Sequence, residues 1–596
     1  MTTSRLAALI SSLLMGSAPR PPVPRLSRRA LLRAGALGGI SAVAAACGGH
    51  PAGSASRSAR ATSSAPPTPT KAVPATATTT ATTTTSTTTT TTATTATTTT
   101  TVPATTSTST STSPPRPVRE ADWQALSESL PGRVSRPGSA TYASDAELYD
   151  PIFDSVRPAA IAFCTTAGDV ARCITFARDH GLALVARSGG HSYGGYSTCS
   201  GLVVDVSMMD AVSLNVEGPK GKIAEVGAGT RLIDVYSGLA AQGASIPAGS
   251  CPTVGVAGLT LGGGIGVMGR LHGLTCDRVT GLEVVTAGGD VVRAGPGSNE
   301  DLYWACRGGG GGNFGIVTRF EFSTFPVTDL ALFGADWPWE AAAQVLPAWM
   351  QWMQAAPDEL WSDLLLEALG AAGAPRVHLN GVWAGTAAGA QAQLAKLFAV
   401  VGQPTGQVLG QNGFEDAMYI EGGCSGLSQA ACHLAGKYPG GTLPRSVTVA
   451  KSDIFNRVLD DAGTAVVLAG LEQRQADGQA GTAVFDSWGG AVNRVRPEAT
   501  AFVHRHGVAS AQYATVFSPG VSTTTVQSAR SWLQGWHQSL RLYASGEAYQ
   551  NYIDPYLADW QHAYYGSNLA RLRMVKAKWD PDDFFHFRQS IPLPHK

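Results

Sequence analysis

The spacing of hydrophobic residues changes repeatedly along the chain. From about residue 118 onward this spacing predicts alternating strands and helices. The stretch "RPAAIAFCTTAGDVARCITFARDHGLALVARSGGHS" reads as a strand, a helix capped between Thr165 and Asp169, and a second strand that ends in a glycine turn. "GLVVDVSMM" adds another buried strand, and "KIAEVGAGTRLIDVYSGLAAQG" a strand followed by an amphipathic helix. Because ligands of such folds gather at turns beyond strand ends, His191 in that glycine turn is a candidate site residue.

The pattern differs between about Leu330 and Leu542, where strands and helices such as "PRVHLNGVWAG" and "TAVFDSWGGAVNRV" alternate and tryptophan recurs. Most of these tryptophans are expected in the core. Aromatic side chains can also stack on sugars or ring systems, and Trp383 and Trp488 are the substrate-contact candidates.

Composition limits the function classes. The chain has 596 residues, 44% of them hydrophobic, and 43 basic residues balance 43 acidic ones. A formal charge of zero gives no positive field to attract nucleic acid, so a small-molecule partner is favoured. No apolar run after the N-terminus is long enough to span a bilayer, and no Cys/His cluster has zinc spacing, so we expect no metal.

Residues 1–47 are typical of a targeting segment rather than of a fold. Arg28 and Arg29 precede a modest apolar stretch and a run of small residues that ends at Cys47. This pattern resembles a twin-arginine export signal with a lipoprotein cleavage site, although "AAAC" lacks the leucine usual at the third position before the cysteine. We therefore expect export to the cell envelope or the exterior, with any membrane contact made through a lipid on Cys47.

Residues 48–117 consist largely of Thr, Ser, Ala and Pro, including long Thr runs. Such a segment cannot bury enough apolar surface to offset the entropy of ordering. It is predicted to be a disordered linker between the N-terminal signal and a folded body.

Nine cysteines are consistent with export without requiring it. If Cys47 carries lipid and Cys251 has another role, seven remain, an odd number that cannot all pair. Cys424 and Cys432 stand close together in a Gly/Ser-rich loop and are predicted to form a disulfide.

Three glycine-rich segments carry the strongest chemical signal: "RSGGHSYGGYS", "GSCPTVGVAGLTLGGGIG" and "WACRGGGGGNFGIVT". Glycine lets a planar or anionic group approach the main chain. None of the three has the nicotinamide fingerprint or a G-K-[ST] triphosphate motif. The first presents His191 and the second presents Cys251, so two reactive side chains could flank one flat ligand. Each alone has an ordinary alternative: a turn histidine, and a buried or disulfide-bonded cysteine.

In that order, the three segments resemble the FAD-binding domain of the vanillyl-alcohol-oxidase superfamily, in its berberine-bridge-enzyme-like branch. The stretch "AYQNYIDPYLADWQHAYYGSNLARLRMVKAKWDPDDFFHFRQSI" is similar to the terminal segment of that branch. The resemblance covers the chain from Val118 onward and implies an α+β fold. It divides the chain into a two-part FAD-binding domain (118–330), a substrate domain with an antiparallel sheet backed by helices (331–542), and a C-terminal segment (543–596) returning to the FAD domain.

The resemblance further implies a flavin attached twice, by His191 to the 8α-methyl carbon and by Cys251 to C6 of the ring. A neutral imidazole and a thiolate are suitable nucleophiles for an electron-poor flavin. The expected FAD contacts are Arg187, Ser188, Gly189, Gly190, Ser192, Gly255, Gly258, Gly262, Gly263, Gly264, Gly315, Ile316, Val317, Tyr552 and Asn568.

For catalysis, the resemblance points to Tyr552 in "QNYID" as the general base that removes the hydroxyl proton while hydride leaves for the flavin. An ordinary phenol is a poor base at neutral pH, so the site must stabilise its phenolate. Val254, a small residue near Cys251, implies access of oxygen to the reduced flavin. Ile265 replaces the tyrosine that several relatives carry after the triple glycine, so a substrate contact made there is absent.

The sequence therefore predicts an exported FAD-linked oxidase that acts on an alcohol, oligosaccharide or secondary metabolite and produces hydrogen peroxide from oxygen. A flavin dehydrogenase with a different acceptor is one alternative. A lipid-anchored binding protein that keeps the flavin fold without turnover is another.

Overall fold

The computed structural model describes residues 116–218 and 221–594. The predicted export signal, the lipid site at Cys47 and the linker up to residue 115 lie outside the described residues. Three main sheets follow one another along the chain. None of the described helices is both long and apolar enough to cross a membrane.

The first sheet has the strand order β1-β2-β4-β3. Its strands are β1 (Val134–Ser135), β2 (Ala160–Phe163), β3 (Leu184–Arg187) and β4 (Leu202–Asp205), and its helices are α1 (Glu120–Ser129), α2 (Tyr142–Ala146) and α3 (Ala167–His180). The predicted strand, helix and strand are β2, α3 and β3. Thr166 caps α3 by accepting from the Asp169 amide, and β4 lies between β2 and β3, parallel to both.

The second sheet is antiparallel, in the order β5-β6-β10-β8-β9. Its strands are β5 (Val212–Gly218), β6 (Gly221–Gly227), β8 (Val279–Val285), β9 (Val291–Ala294) and β10 (Ile316–Ser323). Four helices belong to this part: α4 (Leu232–Ala240), α5 (Val256–Leu261), α6 (Gly269–His272) and α7 (Glu300–Ala305). A two-stranded ladder joins β7 (Ala244–Ser245) to β11 (Phe325–Pro326).

The third sheet has seven antiparallel strands in the order β15-β12-β14-β13-β17-β18-β16. They are β12 (Leu330–Pro338), β13 (Leu360–Leu369), β14 (Arg376–Trp383), β15 (Gly406–Asn412), β16 (Val447–Phe455), β17 (Ala480–Ser487) and β18 (Ala509–Phe517). Interspersed helices are α8 (Ala342–Gln354), α9 (Ala387–Val401), α10 (Phe414–Glu421), α11 (Asp461–Ala476), α12 (Ala491–Arg494) and α13 (Thr523–Leu540).

The strands of the third sheet have two different faces because side chains alternate along them. On β13, Leu364 and Leu366 join the core formed with α8, α9, α11 and α13, whereas Trp361 joins the core of the first two sheets. This arrangement confirms the predicted α+β fold, in which an antiparallel sheet backed by helices packs on the first two sheets.

Two further observations concern the loop that holds Cys424 and Cys432 and the C-terminal segment from residue 543 onward. Cys424 and Cys432 form the predicted disulfide, with 5.8 Å between their Cα atoms. The C-terminal helices α14 (Trp560–Tyr565) and α15 (Leu569–Trp579) pack into the core of the first two sheets. The buried Lys576 ammonium anchors this tail by donating to the Asn313 carbonyl at 3.0 Å.

Candidate active site

A cavity of about 310 Å³ lies where the glycine loops of the first two sheets meet the inner face of the third. The C-terminal segment around Tyr552 closes another side of it. Of the residues predicted to bind the cofactor, most line this cavity: Arg187, Ser188, Gly189, Gly190, His191, Ser192, Cys251, Gly255, Gly258, Gly315, Ile316, Val317 and Tyr552.

His191 follows β3 and is held from two sides. Its ring stacks on Tyr149 with 4.0 Å between centroids, and its Nε2 is 2.9 Å from the Thr253 hydroxyl. Burial, with a further contribution from the positive charge of Arg231, lowers the pKa of His191 to about 3. The imidazole is therefore neutral at physiological pH, the state in which a ring nitrogen is a nucleophile.

The Cys251 loop reaches the same place because it is fixed against the start of α4. The amides of Leu232 and Ile233 donate to the carbonyls of Val254 and Pro252 at 3.0 and 3.1 Å. A Cβ at Gly189 would collide with the Gly255 backbone, and a Cβ at Gly255 would collide with Ser188 and Gly189. The loops that carry His191 and Cys251 thus meet through two bare backbones, and the Thr253 contact to His191 joins them again.

The cavity surface suits a flat, polar cofactor such as FAD. A Cβ at Gly258 would meet no atom within 4 Å, so this glycine leaves open space at the cavity wall. Arg187 is held by an ion pair with Asp205, yet its Nη1 is buried without a hydrogen-bond partner among the described residues. Glycine leaves room for the flat ring of such a molecule to approach the backbone. The Arg187 Nη1 group can donate a hydrogen bond to its anionic part.

Four of the predicted cofactor contacts do not line the cavity. Side chains at Gly262, Gly263 and Gly264 would collide with Asn551, Phe502 and Thr275, respectively, so these glycines serve close packing within the protein. The Asn568 amide is buried and donates to the carbonyls of Pro497 and Thr500 at 2.8 and 3.1 Å. Close packing within the protein and close approach of a ligand both favour glycine. The sequence alone therefore does not distinguish the glycines that have one role from those that have the other.

Tyr552 lines the cavity, where its ring lies parallel to that of Tyr193 at 6.2 Å. Burial and the nearby Asp486 raise the pKa of the Tyr552 phenol well above its usual value, and Tyr193, Tyr549 and Asp363 act in the same direction. These surroundings favour the protonated phenol. In this state the Tyr552 phenol can donate a hydrogen bond.

The structure shows where the tryptophans named as substrate-contact candidates lie relative to the cavity. Trp361 lines the cavity, whereas Trp383 and Trp488 do not. Trp383 pairs with Leu360 across β13 and β14 and packs on the helix side of the sheet, with its ring against Gly385 and Gly389. Trp488 is buried beside Phe502, with ring centroids 6.1 Å apart.

Three polar side chains of the third sheet reach the cavity without having been singled out in the sequence: Asp363, Asp486 and Gln512. They lie on β13, β17 and β18, next to Leu364, Phe485 and Tyr513, which pack beneath the helices. The available signal was a charged or amide residue inside an apolar strand, which is costly unless it serves a site. The Gln512 amide donates to the Tyr193 hydroxyl at 3.3 Å.

Comparisons with known proteins agree with this geometry. Residues 158–295 match the family described as FAD binding domain, and residues 548–592 match the family described as berberine and berberine like. The FAD-linked oxidoreductase YgaK of Bacillus subtilis is 32% identical over 449 residues, which cover 73% of this chain and 91% of YgaK.

Two further relatives align with this chain over nearly their whole length. A chitooligosaccharide oxidase of Gibberella zeae is 29% identical over 474 residues, 76% of this chain and 91% of the relative. The solved structure of BBE-like 1 of Physcomitrella patens superposes with a TM-score of 0.72 at 31% identity, covering 80% of this chain and all of that one.

Proposed function

Because this chain belongs to the berberine-bridge-enzyme-like family of FAD-linked oxidoreductases, we propose that it oxidises an alcohol carbon of a sugar-like substrate with a doubly attached flavin and oxygen. The observation that carries this proposal is the meeting of the His191 and Cys251 loops at one cavity. Bound FAD supplies a hydride acceptor, and the protein supplies the groups that hold the cofactor, orient the substrate and move its hydroxyl proton.

The two attachments join His191 and Cys251 to the flavin. Burial keeps the imidazole neutral, and the Thr253 hydroxyl fixes its orientation. Gly189 and Gly255 allow both loops to approach one flat ring at the same time. Two attachments also retain a cofactor that an exported enzyme could not replace.

Intact mass after acid denaturation tests the attachments. The wild-type chain should carry the mass of one FAD, and the His191→Ala and Cys251→Ala variants should each keep it through the remaining link. The double variant should release all pigment. A wild-type mass equal to that of bare polypeptide would refute the proposal.

The residues of the third sheet that line the cavity support a sugar-like substrate. Trp361 offers an aromatic face, and Asp363, Asp486 and Gln512 offer polar atoms beside it. Sugars bind such mixtures, with a ring face on the aromatic group and hydroxyls on the polar groups. The chitooligosaccharide oxidase among the relatives acts, by its name, on a substrate of this kind.

A donor screen tests this assignment. Purified yellow protein is mixed with chito-, xylo- and cello-oligosaccharides and with aliphatic and benzylic alcohols, and hydrogen peroxide is measured. We expect release with an oligosaccharide. Flavin bleaching without peroxide would identify a dehydrogenase with another acceptor, and no bleaching by any donor would favour a binding protein.

Oxygen as the acceptor is supported by Val254, a short side chain that lines the cavity three residues after Cys251. A larger side chain should restrict the path of oxygen to the reduced flavin. The Val254→Leu variant should therefore be reduced by donor as fast as the wild type but reoxidised more slowly in stopped-flow mixing with oxygen. Equal reoxidation rates would remove Val254 from this role.

We also propose export through the twin-arginine route, on the basis of Arg28 and Arg29, with Cys47 as the lipid site. Replacing both arginines with lysine should leave folded yellow protein in the cytoplasm. Labelling with a fatty acid should be lost in Cys47→Ala if Cys47 carries the lipid.

A further inference from the structure

The ring of Tyr149 lies flat against the imidazole of His191. The two rings are stacked with 4.0 Å between their centroids and 19° between their planes. His191 is partly exposed at the cavity, whereas Tyr149 is only 3% exposed. The phenol ring is therefore a fixed surface that covers one face of the imidazole. Neither hydride transfer nor proton transfer in the proposed oxidation uses this contact.

Two contacts together fix the orientation of the imidazole. Stacking on Tyr149 sets the plane of the ring. The contact of Nε2 with the Thr253 hydroxyl, at 2.9 Å, sets the rotation of the ring within that plane. A nucleophile reacts efficiently only when it is held close to the reacting carbon and aligned with it. Without the stacked ring, the imidazole could adopt other orientations, in which its nitrogen is not aligned.

The main chain before Tyr149 is tied to the main chain before His191. The Tyr149 amide donates to the Gly190 carbonyl at 3.2 Å. Gly190 has a φ of +70°, in the left-handed region that favours glycine. The Leu148 side chain lies 3.5 Å from the place that a Cβ of Gly190 would take. Tyr149 and His191 are thus held as a pair.

Arg445 holds the chain on both sides of Tyr149. It lies just before β16 of the third sheet, and its Nε donates to the Leu148 carbonyl at 2.7 Å. Its Nη1 donates to the Asp154 carboxylate at 3.0 Å. Because the guanidinium is planar and makes both contacts at once, it fixes this segment in one place.

The residues that follow Arg445 contact Tyr149 and its neighbour. The Thr448 amide donates to the Asp150 carboxylate at 3.2 Å. Burial raises the pKa of the Tyr149 phenol, and a hydrogen bond with Ser446 lowers it in part. The beginning of β16 therefore holds Tyr149, and Tyr149 in turn holds the imidazole. In this way the third sheet contributes to the position of His191.

The same contact favours the neutral imidazole. Burial, with a further contribution from the positive charge of Arg231, lowers the pKa of His191 to about 3. The Tyr149 ring is part of that burial, because it keeps water from one face of the imidazole. A neutral imidazole has a nitrogen lone pair that can form a bond to carbon. Tyr149 thus contributes to both the orientation and the protonation state of the nucleophile.

Resting on the proposed function, we propose that Tyr149 is the positioning residue that holds His191 for its attachment to the flavin. In this attachment the imidazole N–H bond and a C–H bond of the 8α-methyl group break, and a C–N bond forms. The two electrons and two protons released reduce the flavin. Oxygen takes them up as hydrogen peroxide, which restores the oxidised cofactor. Tyr149 itself gains and loses no bond.

The test uses two backgrounds, each of which keeps one flavin link. In Cys251→Ala only His191 can hold the flavin, and in His191→Ala only Cys251 can. Full-length chains produced with little riboflavin are incubated with FAD in air, and intact mass after acid denaturation gives the attached fraction over time. Tyr149→Leu keeps an apolar side chain but lacks the flat ring. It should slow attachment in the Cys251→Ala background roughly 2- to 10-fold.

Three comparisons separate positioning from a general effect on the fold. Tyr149→Leu in the His191→Ala background should leave attachment through Cys251 at its parent rate. Tyr149→Phe keeps the ring and should restore the rate of attachment through His191. Arg445→Met changes neither ring but frees the segment that carries Tyr149, so it should also slow the His191 link and not the Cys251 link.

Equal rates in Tyr149→Leu and its Cys251→Ala parent would overturn the proposal. Equal slowing of the His191 and Cys251 links would also overturn it, because Tyr149 would then support the fold rather than one imidazole. If the Cys251→Ala parent itself gains no flavin mass, the His191 attachment in the proposed function fails, and this role fails with it. That result appears before any change at Tyr149, so the two failures are distinguishable.

Discussion

Gly189 and Gly255 pack backbone against backbone, and this contact joins the loop that presents His191 to the loop that presents Cys251. Neither position has room for a Cβ atom. The contact explains why two segments far apart in the sequence can present reactive side chains to one cavity. It also makes the site sensitive to changes that add a single carbon.

The first prediction concerns this contact. Gly189→Ala should lower the free energy of unfolding by about 1–3 kcal/mol, because the new Cβ must displace the Gly255 backbone. Urea denaturation measures the effect. Gly535→Ala is the control: it lies in α13 with no atom within 4 Å of its Cβ position, and alanine favours a helix. Equal stability of the Gly189→Ala protein and the wild type would contradict the contact.

A second glycine variant separates cofactor binding from folding. Gly258→Ala adds a Cβ to open space at the cavity wall and replaces a helical glycine of α5. The fold should be as stable as the wild type or slightly more stable. The ratio of flavin to protein absorbance in freshly purified protein should fall, because the methyl group occupies space at the cofactor surface. Full flavin content would show that the cofactor lies elsewhere in the cavity.

Substrate binding is predicted to depend on Trp361 rather than on the two tryptophans chosen from the sequence. Trp361→Ala should raise KM for an oligosaccharide roughly 2- to 10-fold, the equivalent of one aromatic contact of about 0.5–1.5 kcal/mol. Trp383→Phe is the control, since its ring packs on the helix side of the sheet. Steady-state kinetics distinguish them, and a larger KM effect from Trp383→Phe would reverse the assignment.

Tyr552→Phe should leave the flavin attached and the fold intact while slowing flavin reduction by the donor. The phenol keeps its proton in this site, so the expected loss is that of one hydrogen bond to a reacting oxygen, about 10- to 100-fold. Anaerobic stopped-flow absorbance measures it. Tyr303→Phe, whose hydroxyl donates to the Val279 carbonyl away from the cavity, should reduce at the wild-type rate. An unchanged rate in Tyr552→Phe would remove this residue from the reaction.

The sequence revealed features that depend on local chemistry. Helix α3 was predictable because Thr166 and Asp169 cap it within a few residues. The His191 and Cys251 loops were visible because glycine surrounds a reactive side chain in each. These signals need no knowledge of the remaining fold.

Features that depend on strand register were not visible. Asp363 and Asp486 meet because β13 pairs with β17 at one particular register, which no local pattern specifies. The register of β13 with β14 pairs Leu360 with Trp383 on the helix side, and alternation along β13 places Trp361 on the opposite, cavity face. Trp361, the second residue of β13, lines the cavity, whereas Trp383 at the end of β14 does not.

Buried carboxyls also make the stability of the fold depend on pH. Burial raises the pKa values of Asp486 and Glu421 each to about 7, from about 4 in an unfolded chain. The folded protein then binds more protons than the unfolded chain between those values, so its free energy of unfolding decreases as pH rises from about 4 to 7. Each pKa unit corresponds to about 1.4 kcal/mol.

The neutral amide in Asp486→Asn removes that penalty. The melting temperature of the variant should match that of the wild type near pH 4 and exceed it increasingly toward pH 8. Differential scanning calorimetry at matched ionic strength measures the difference. Asp329→Asn changes an exposed carboxyl and should give the same difference from wild type at every pH. If the two curves for Asp486→Asn and wild type stay parallel, Asp486 is ionised at no extra cost in the folded protein, and burial does not raise its pKa.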